Sequence, residues 1–98
     1  MEINLKEMIE YSPGGITSKV VLKDDPVNVT LFCMAAGTDM SEHTSKKKGT
    51  VHVLDGDGVF VLEGREIPMK PGVLIHLERD AVHSLSAKEN TCFLLTLI

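Results

Sequence analysis

The run Val51-His52-Val53-Leu54-Asp55-Gly56-Asp57-Gly58-Val59-Phe60-Val61-Leu62-Glu63-Gly64-Arg65-Glu66-Ile67-Pro68-Met69-Lys70-Pro71-Gly72 reads as short apolar pieces parted by turn formers. Glycine and aspartate supply the positive φ that tight hairpin turns demand, and proline presets the first turn position. Asp55-Gly56-Asp57-Gly58, Glu63-Gly64 and Lys70-Pro71-Gly72 are therefore turns. The pieces between them are rich in Val, Ile, Leu and Phe, the residues that suit a pleated, half-buried surface. Working outward, Pro13-Gly14-Gly15 and Asp24-Asp25-Pro26 punctuate the N-terminal half in the same way. The spacing predicts strands near 16–23, 28–35, 39–45, 50–54, 58–63, 65–69, 73–77, 82–86 and 91–97. Regular short strands without a long helical pattern imply an all-β sandwich or barrel.

Two segments depart from that rhythm. Residues 3–10 place Ile3, Leu5, Met8 and Ile9 in a pattern that a short N-terminal helical turn can use, and the segment is too short to stand alone. It is expected to pack against a sheet edge or a partner. The run Cys92-Phe93-Leu94-Leu95-Thr96-Leu97-Ile98 is apolar on both faces, so it needs cover on both sides. In so small a chain a second subunit is one candidate for that cover.

The 98 residues are expected to form a single domain, 1–98. Apolar residues at 43% and charged residues at 24% describe an ordinary globular chain. Ten basic against fourteen acidic side chains give a net charge of −4, which repels phosphate backbones and argues against nucleic acid as a partner. No apolar run approaches the roughly 20 residues of a membrane span. The N-terminus, with Glu2 and Glu7, lacks a basic stretch followed by an apolar one, so a cytoplasmic location is expected. Cys33 and Cys92 sit in apolar segments and read as buried thiols.

Two further stretches carry histidines at suggestive spacings: Gly37-x5-His43-x-Ser45-x10-Gly56, and Pro71-Gly72-x10-His83. Together with the hairpin at 51–58, they resemble the motifs of the cupin family, and in particular its small single-domain, cupin-2 type conserved barrels with the RmlC-like jelly roll. The resemblance implies a double-stranded β-helix, and it commonly goes with homodimers. It also implies where a metal would be held. The family's ligand positions fall on His43, Ser45, Gly49 (Thr50 in the longer spacing) and His83. Two of the four are histidines here, and two carry no imidazole or carboxylate.

A divalent transition metal generally takes three or four protein donors, so His43 and His83 alone make a weak site. His52 and His76 are the candidates to complete it. Side chains alternate faces along a strand. If His43 points into the barrel, 45, 51 and 53 share its side and His52 points away, unless a bulge at Lys48-Gly49 resets the register. Parity says little about His76. Without metal, His43 and His83 would line a polar barrel mouth. Lys46-Lys47-Lys48 near that mouth is either a solvated loop or a draw for anionic small molecules.

Three readings of function follow. The first is a small-molecule-binding cupin with a degenerate metal site, its pocket lined by His43, Ser45, Val51 and His83, taking a small and perhaps anionic ligand and at most a weakly bound divalent transition metal. The second is a metal-dependent enzyme of the dioxygenase or isomerase type. The third is a non-catalytic structural or interaction module. The chain carries no phosphate-cradling loop, Cys-x-x-Cys pair or Gly-x-Ser-x-Gly elbow.

Overall fold

The structure is a computed structural model that describes residues 1–98. After a single 3-10 turn at Leu5–Glu7 come nine strands: β1 (Ile16–Asp24), β2 (Val27–Met34), β3 (Asp39–His43), β4 (Gly49–Asp55), β5 (Gly58–Leu62), β6 (Arg65–Met69), β7 (Leu74–Leu77), β8 (His83–Ala87) and β9 (Thr91–Leu97). Every stretch expected to be a strand is one. They form two antiparallel sheets, ordered β1-β2-β9-β4-β7 and β3-β8-β5-β6. The late strands β9 and β8 are inserted between early ones, which wraps the chain into a jelly roll. No helix is long and apolar enough to cross a membrane.

The alternation that suggested strands also sorts the core. In β4, Val51 and Val53 are buried while His52 is exposed. In β8, His83, Leu85 and Ala87 are buried and Ser86 is exposed. The inward residues of both sheets meet in one cluster that includes Met34, Val53, Phe60, Met69, Ile75 and Phe93. Phe32 and Phe93 lie opposite each other in register and their rings stack at 5.2 Å. Methionines fill what few aromatics leave open.

The outward side of β9 also finds cover, and the cover is the chain's own N-terminus. Leu31, Cys33 and Cys92 form a second small core beneath Met8, Ile9 and Tyr11. The segment therefore lies on the face of the larger sheet rather than along an edge, because the apolar outward residues of β2 and β9 are there. Thr17 Oγ1 donates to the Glu10 carbonyl at 2.7 Å, and Lys19 pairs with Glu10 at 3.1 Å, which tie the segment down. Both cysteines are free and buried. Burial, with the neighbouring Cys92 thiol, pushes the Tyr11 hydroxyl well up. Burial likewise pushes the Cys92 thiol up, so Cys92 does not resemble a reactive thiolate.

Gly49 opens β4 facing Leu97 on one side and Leu77 on the other. A Cβ at this position would fall inside the van der Waals envelope of the Thr96 carbonyl oxygen. The backbones of β4 and β9 can approach this closely only because position 49 has no side chain. Gly49→Ala is expected to lose about 3 kcal/mol or more of stability. That corresponds to a fall in Tm of more than about 10 °C in a chain of this size. Gly64, at φ 80° with nothing near its missing Cβ, should lose only about 1 kcal/mol on the same change. Thermal melts of the two variants check the contrast.

Candidate functional site

Met40 faces Leu85 across the β3–β8 pair, and His43 faces His83. Three steps along β3 match two along β8, so β3 carries one extra residue. In an unbroken ladder Glu42 would take the place opposite His83 and point inward. The bulge shifts the register so that His43 takes the place opposite His83 and lines the cavity, while its side chain, like that of Glu42, stays exposed. The register break lies before His43, between Met40 and His43, and not at Lys48-Gly49.

The two rings meet edge to face with centroids 4.1 Å apart. His83 is only 7% exposed, and its other neighbour is Phe60, stacked at 5.6 Å. The ring nitrogens are held by the backbone. His43 Nδ1 lies 2.7 Å from the Ser41 carbonyl and His83 Nδ1 lies 2.9 Å from the Ala81 carbonyl. A carbonyl only accepts, so each Nδ1 carries the proton and donates it. In the neutral ring, Nε2 at the far tip is then a bare acceptor.

Both rings line a cavity of about 50 Å3, whose other walls are eight apolar side chains, among them Phe32, Val51, Leu77 and Phe93. This volume takes one or two waters, or a group of a few heavy atoms, against the roughly 300 Å3 or more of a pocket that engulfs a whole ligand. A larger depression of about 720 Å3 lies outside the barrel, between the N-terminal segment and Leu54 and Asp55. It brings no pair of titratable acceptors together.

The sequence-derived site residues divide cleanly. His43, His83 and Val51 line the cavity. Ser45 does not; it locks the rim. Its carbonyl accepts from Asp80 N–H at 2.8 Å and its Oγ accepts from Lys47 N–H at 3.1 Å. His52 pairs with Leu74, and Thr50 with His76, on the outward side of the larger sheet. Both histidines are exposed there, and His76 Nε2 lies 3.7 Å from Glu78. Strand parity thus holds for His52, since β4 is regular from Gly49 to Val53. Lys46 is paired with Asp80 at 3.1 Å and Lys47 reaches the Pro26 carbonyl at 3.4 Å. The lysine loop is therefore tied to neighbouring turns and lines no part of the cavity. Phe60, Met40 and Leu85 complete the walls. Only strand parity signals them in the sequence, and it does not separate pocket walls from ordinary core.

The residues present do not fit a resident transition metal. No group of three or more His, Cys, Asp or Glu side chains converges anywhere in the chain. The position where a carboxylate ligand would stand is Gly49, which the Thr96 carbonyl crowds. Two imidazoles remain, short of the three or four donors such an ion takes.

Burial pushes the His83 pKa below its ordinary value, outweighing an upward pull from the Ala81 carbonyl, and the neighbouring His43 adds a smaller downward push. The folded protein therefore holds fewer protons on this ring than the unfolded chain does. Folding stability is full above the unfolded value of about 6.5 and falls as pH drops through it, because protonation then favours the unfolded state. Urea midpoints are expected to fall between about pH 7.5 and pH 5, and His83→Leu should flatten that slope. An unchanged slope in the variant would assign the titration elsewhere.

Residues 30–98 match the family described as "Cupin domain". Among solved structures, the chain is similar to a cupin superfamily protein from Desulfitobacterium hafniense, 20% identical with a TM-score of 0.91, over 100% of this chain and 90% of that one. It is similar also to an RmlC-like cupin protein from Desulfovibrio desulfuricans, 23% identical with a TM-score of 0.87, over 99% and 94%. A cupin 2 conserved barrel domain protein from Leptotrichia buccalis is 29% identical with a TM-score of 0.90, over 98% of this chain and 47% of that one. No curated protein matches.

Proposed function

The chain belongs to the cupin domain family, and we propose that it is a small-molecule-binding cupin with a degenerate metal site. The supporting observation is the pair of backbone-anchored imidazoles lining one cavity, His43 and His83. Held through Nδ1, each ring in its neutral form presents a bare Nε2 that accepts a hydrogen bond and offers no donor. The ligand that fits presents an N–H or O–H group to them and inserts a compact apolar group of a few heavy atoms between Val51, Phe93 and Leu77. The rest of it lies over the mouth. A carboxylate or phosphate would meet two acceptors and fits only when a ring is protonated, a state that burial of His83 opposes. Lys46 is already paired, which weakens the case for an anionic ligand.

One observation favours the enzyme reading. A ring held by an Nδ1–H donated to a carbonyl, with Nε2 free, is also the arrangement of a metal-bound histidine. A chelating substrate that brought its own donors would make up the missing ligands. Metal analysis of protein purified without a polyhistidine tag separates the readings. We expect less than about 0.3 transition metal per chain, because two imidazoles bind weakly. We also expect acetamide and small alcohols to shift the His43 and His83 side-chain NMR signals, an effect that His83→Leu abolishes. Stoichiometric metal that disappears in His43→Ala would establish the enzyme reading instead. No response to any probe would leave a structural module.

A further inference from the structure

We propose that Cys33 and Cys92 form a modification site, a dithiol that a hydroperoxide closes into a disulfide bond between β2 and β9. Register is the first observation. The two residues face each other directly across the β2–β9 pair, and directly opposed side chains share one face of a sheet. The neighbouring strands decide which kind of pair they form. The Ala35 N–H donates to the Gly15 carbonyl at 3.1 Å, so position 35 turns its backbone groups toward β1. Every second residue of an antiparallel strand does the same. Cys33 therefore turns its N–H and C=O to Thr17 of β1 and neither to β9. On the other side, the Ile98 N–H donates to the Lys48 carbonyl at 2.8 Å. Steps of two back along β9 turn Thr96, Leu94 and Cys92 toward β4 as well. The Cys33–Cys92 pair is thus of the non-hydrogen-bonded kind, with Cα atoms roughly 4.5 Å apart and side chains drawn close. A disulfide takes Cα atoms about 4.4–6.8 Å apart, so the bond closes by turning two side chains while the sheet stays in place.

Cover is the second observation. Both thiols are free, and both residues are buried. What lies over them is Met8, Ile9 and Tyr11 of the N-terminal segment, which holds no strand and only the short 3-10 turn. Its side-chain ties to β1 are the Thr17–Glu10 hydrogen bond and the Lys19–Glu10 pair, both at exposed positions, where an ion pair contributes little. A segment held this lightly opens locally far more often than the sheet beneath it unfolds. That opening admits a molecule as small as hydrogen peroxide. While the cover is closed, burial keeps Cys92 protonated, so the reaction is slow and waits on the segment.

The step balances with the peroxide as oxidant. One cysteine, as thiolate, displaces hydroxide from the O–O bond and becomes a sulfenic acid. The other, also as thiolate, attacks that sulfur, forms the S–S bond and releases the second hydroxide. The two thiol protons turn both hydroxides into water, and two electrons pass from sulfur to the peroxide. The bond joins positions 33 and 92 and so encloses β3 to β8, with His43 and His83 among them. Closing a loop that long removes freedom from the unfolded chain, so the oxidised fold is the more stable one.

The test treats the full chain, reduced and freed of reductant, with an excess of hydrogen peroxide, blocks remaining thiols with iodoacetamide and maps the tryptic peptides. Peptides 24–46 and 89–98 should appear joined, the two thiols should vanish at one rate, and dithiothreitol should restore both. The Tm of the oxidised chain should rise by about 10 °C or more. In Cys33→Ala, Cys92 should stop at the sulfenic or sulfinic acid with no such rise. Ile9→Ala thins the cover and should speed closure at least about threefold, while Leu74→Ala, on the far edge strand, should leave the rate unchanged. Thiols oxidised independently of each other, cross-links between chains in place of the link within one, or a disulfide that leaves Tm where it was would each overturn the proposal. A rate indifferent to Ile9→Ala would overturn the gating by the N-terminal segment. If Cys33→Ala does not fold, the joined or separate peptides of the parent chain still decide.

Discussion

One residue more in β3 than in the facing stretch of β8 brings His43 opposite His83 at the side of the cavity, and the pocket depends on that step. Without the bulge, the inward place opposite His83 belongs to Glu42, and a carboxylate would face a buried imidazole and an apolar wall. With it, two rings meet at 4.1 Å and each gives its Nδ1 proton to a carbonyl two residues back. The same geometry satisfies a buried polar ring and fixes its tautomer, so stability and recognition rest on one set of hydrogen bonds. It also makes the inner wall an acceptor without a matching donor.

The departures from a full metal site are built into the backbone as well as the side chains. Ser45 is engaged in tying its loop to the turn at Asp80. Gly49 lets β4 and β9 close together, which occupies the room a longer side chain would need. Phe60, Phe93 and Leu77 line the space that remains. The cavity that remains is small and apolar, so selectivity would come from exclusion of bulk and from the two acceptor atoms rather than from charge.

Much of the architecture could be read from the sequence because period-two patterning and turn chemistry agree with one another at every hairpin. Asp55-Gly56, Glu63-Gly64 and Pro71-Gly72 mark turns whatever the tertiary context, and Val51 and Val53 can bury only one face of a strand. The pocket was less legible. His52 obeyed parity because β4 is regular up to Val53. His43 did not, because a bulge leaves no signature in Ser41-Glu42 that a polar strand would lack. Ser45 matched a motif position, yet its hydroxyl is engaged by Lys47 two residues on and its carbonyl by Asp80, distant in sequence. For the cover over β9 the sequence offers a second subunit as one candidate. The N-terminal segment supplies much of it, since Met8, Ile9 and Tyr11 are the nearest apolar groups able to reach Cys33 and Cys92.

The claim on which the account turns is that both rings carry a proton on Nδ1 and present Nε2 bare in the neutral form. A long-range proton–nitrogen correlation spectrum of the histidine rings, recorded near pH 8 where neutral rings prevail, reads this atom by atom. The account predicts that His43 and His83 both show a protonated Nδ1 and an unprotonated Nε2. An Nε2–H tautomer in either ring would contradict it, because that ring would then present a donor to the cavity and its backbone anchor would be lost.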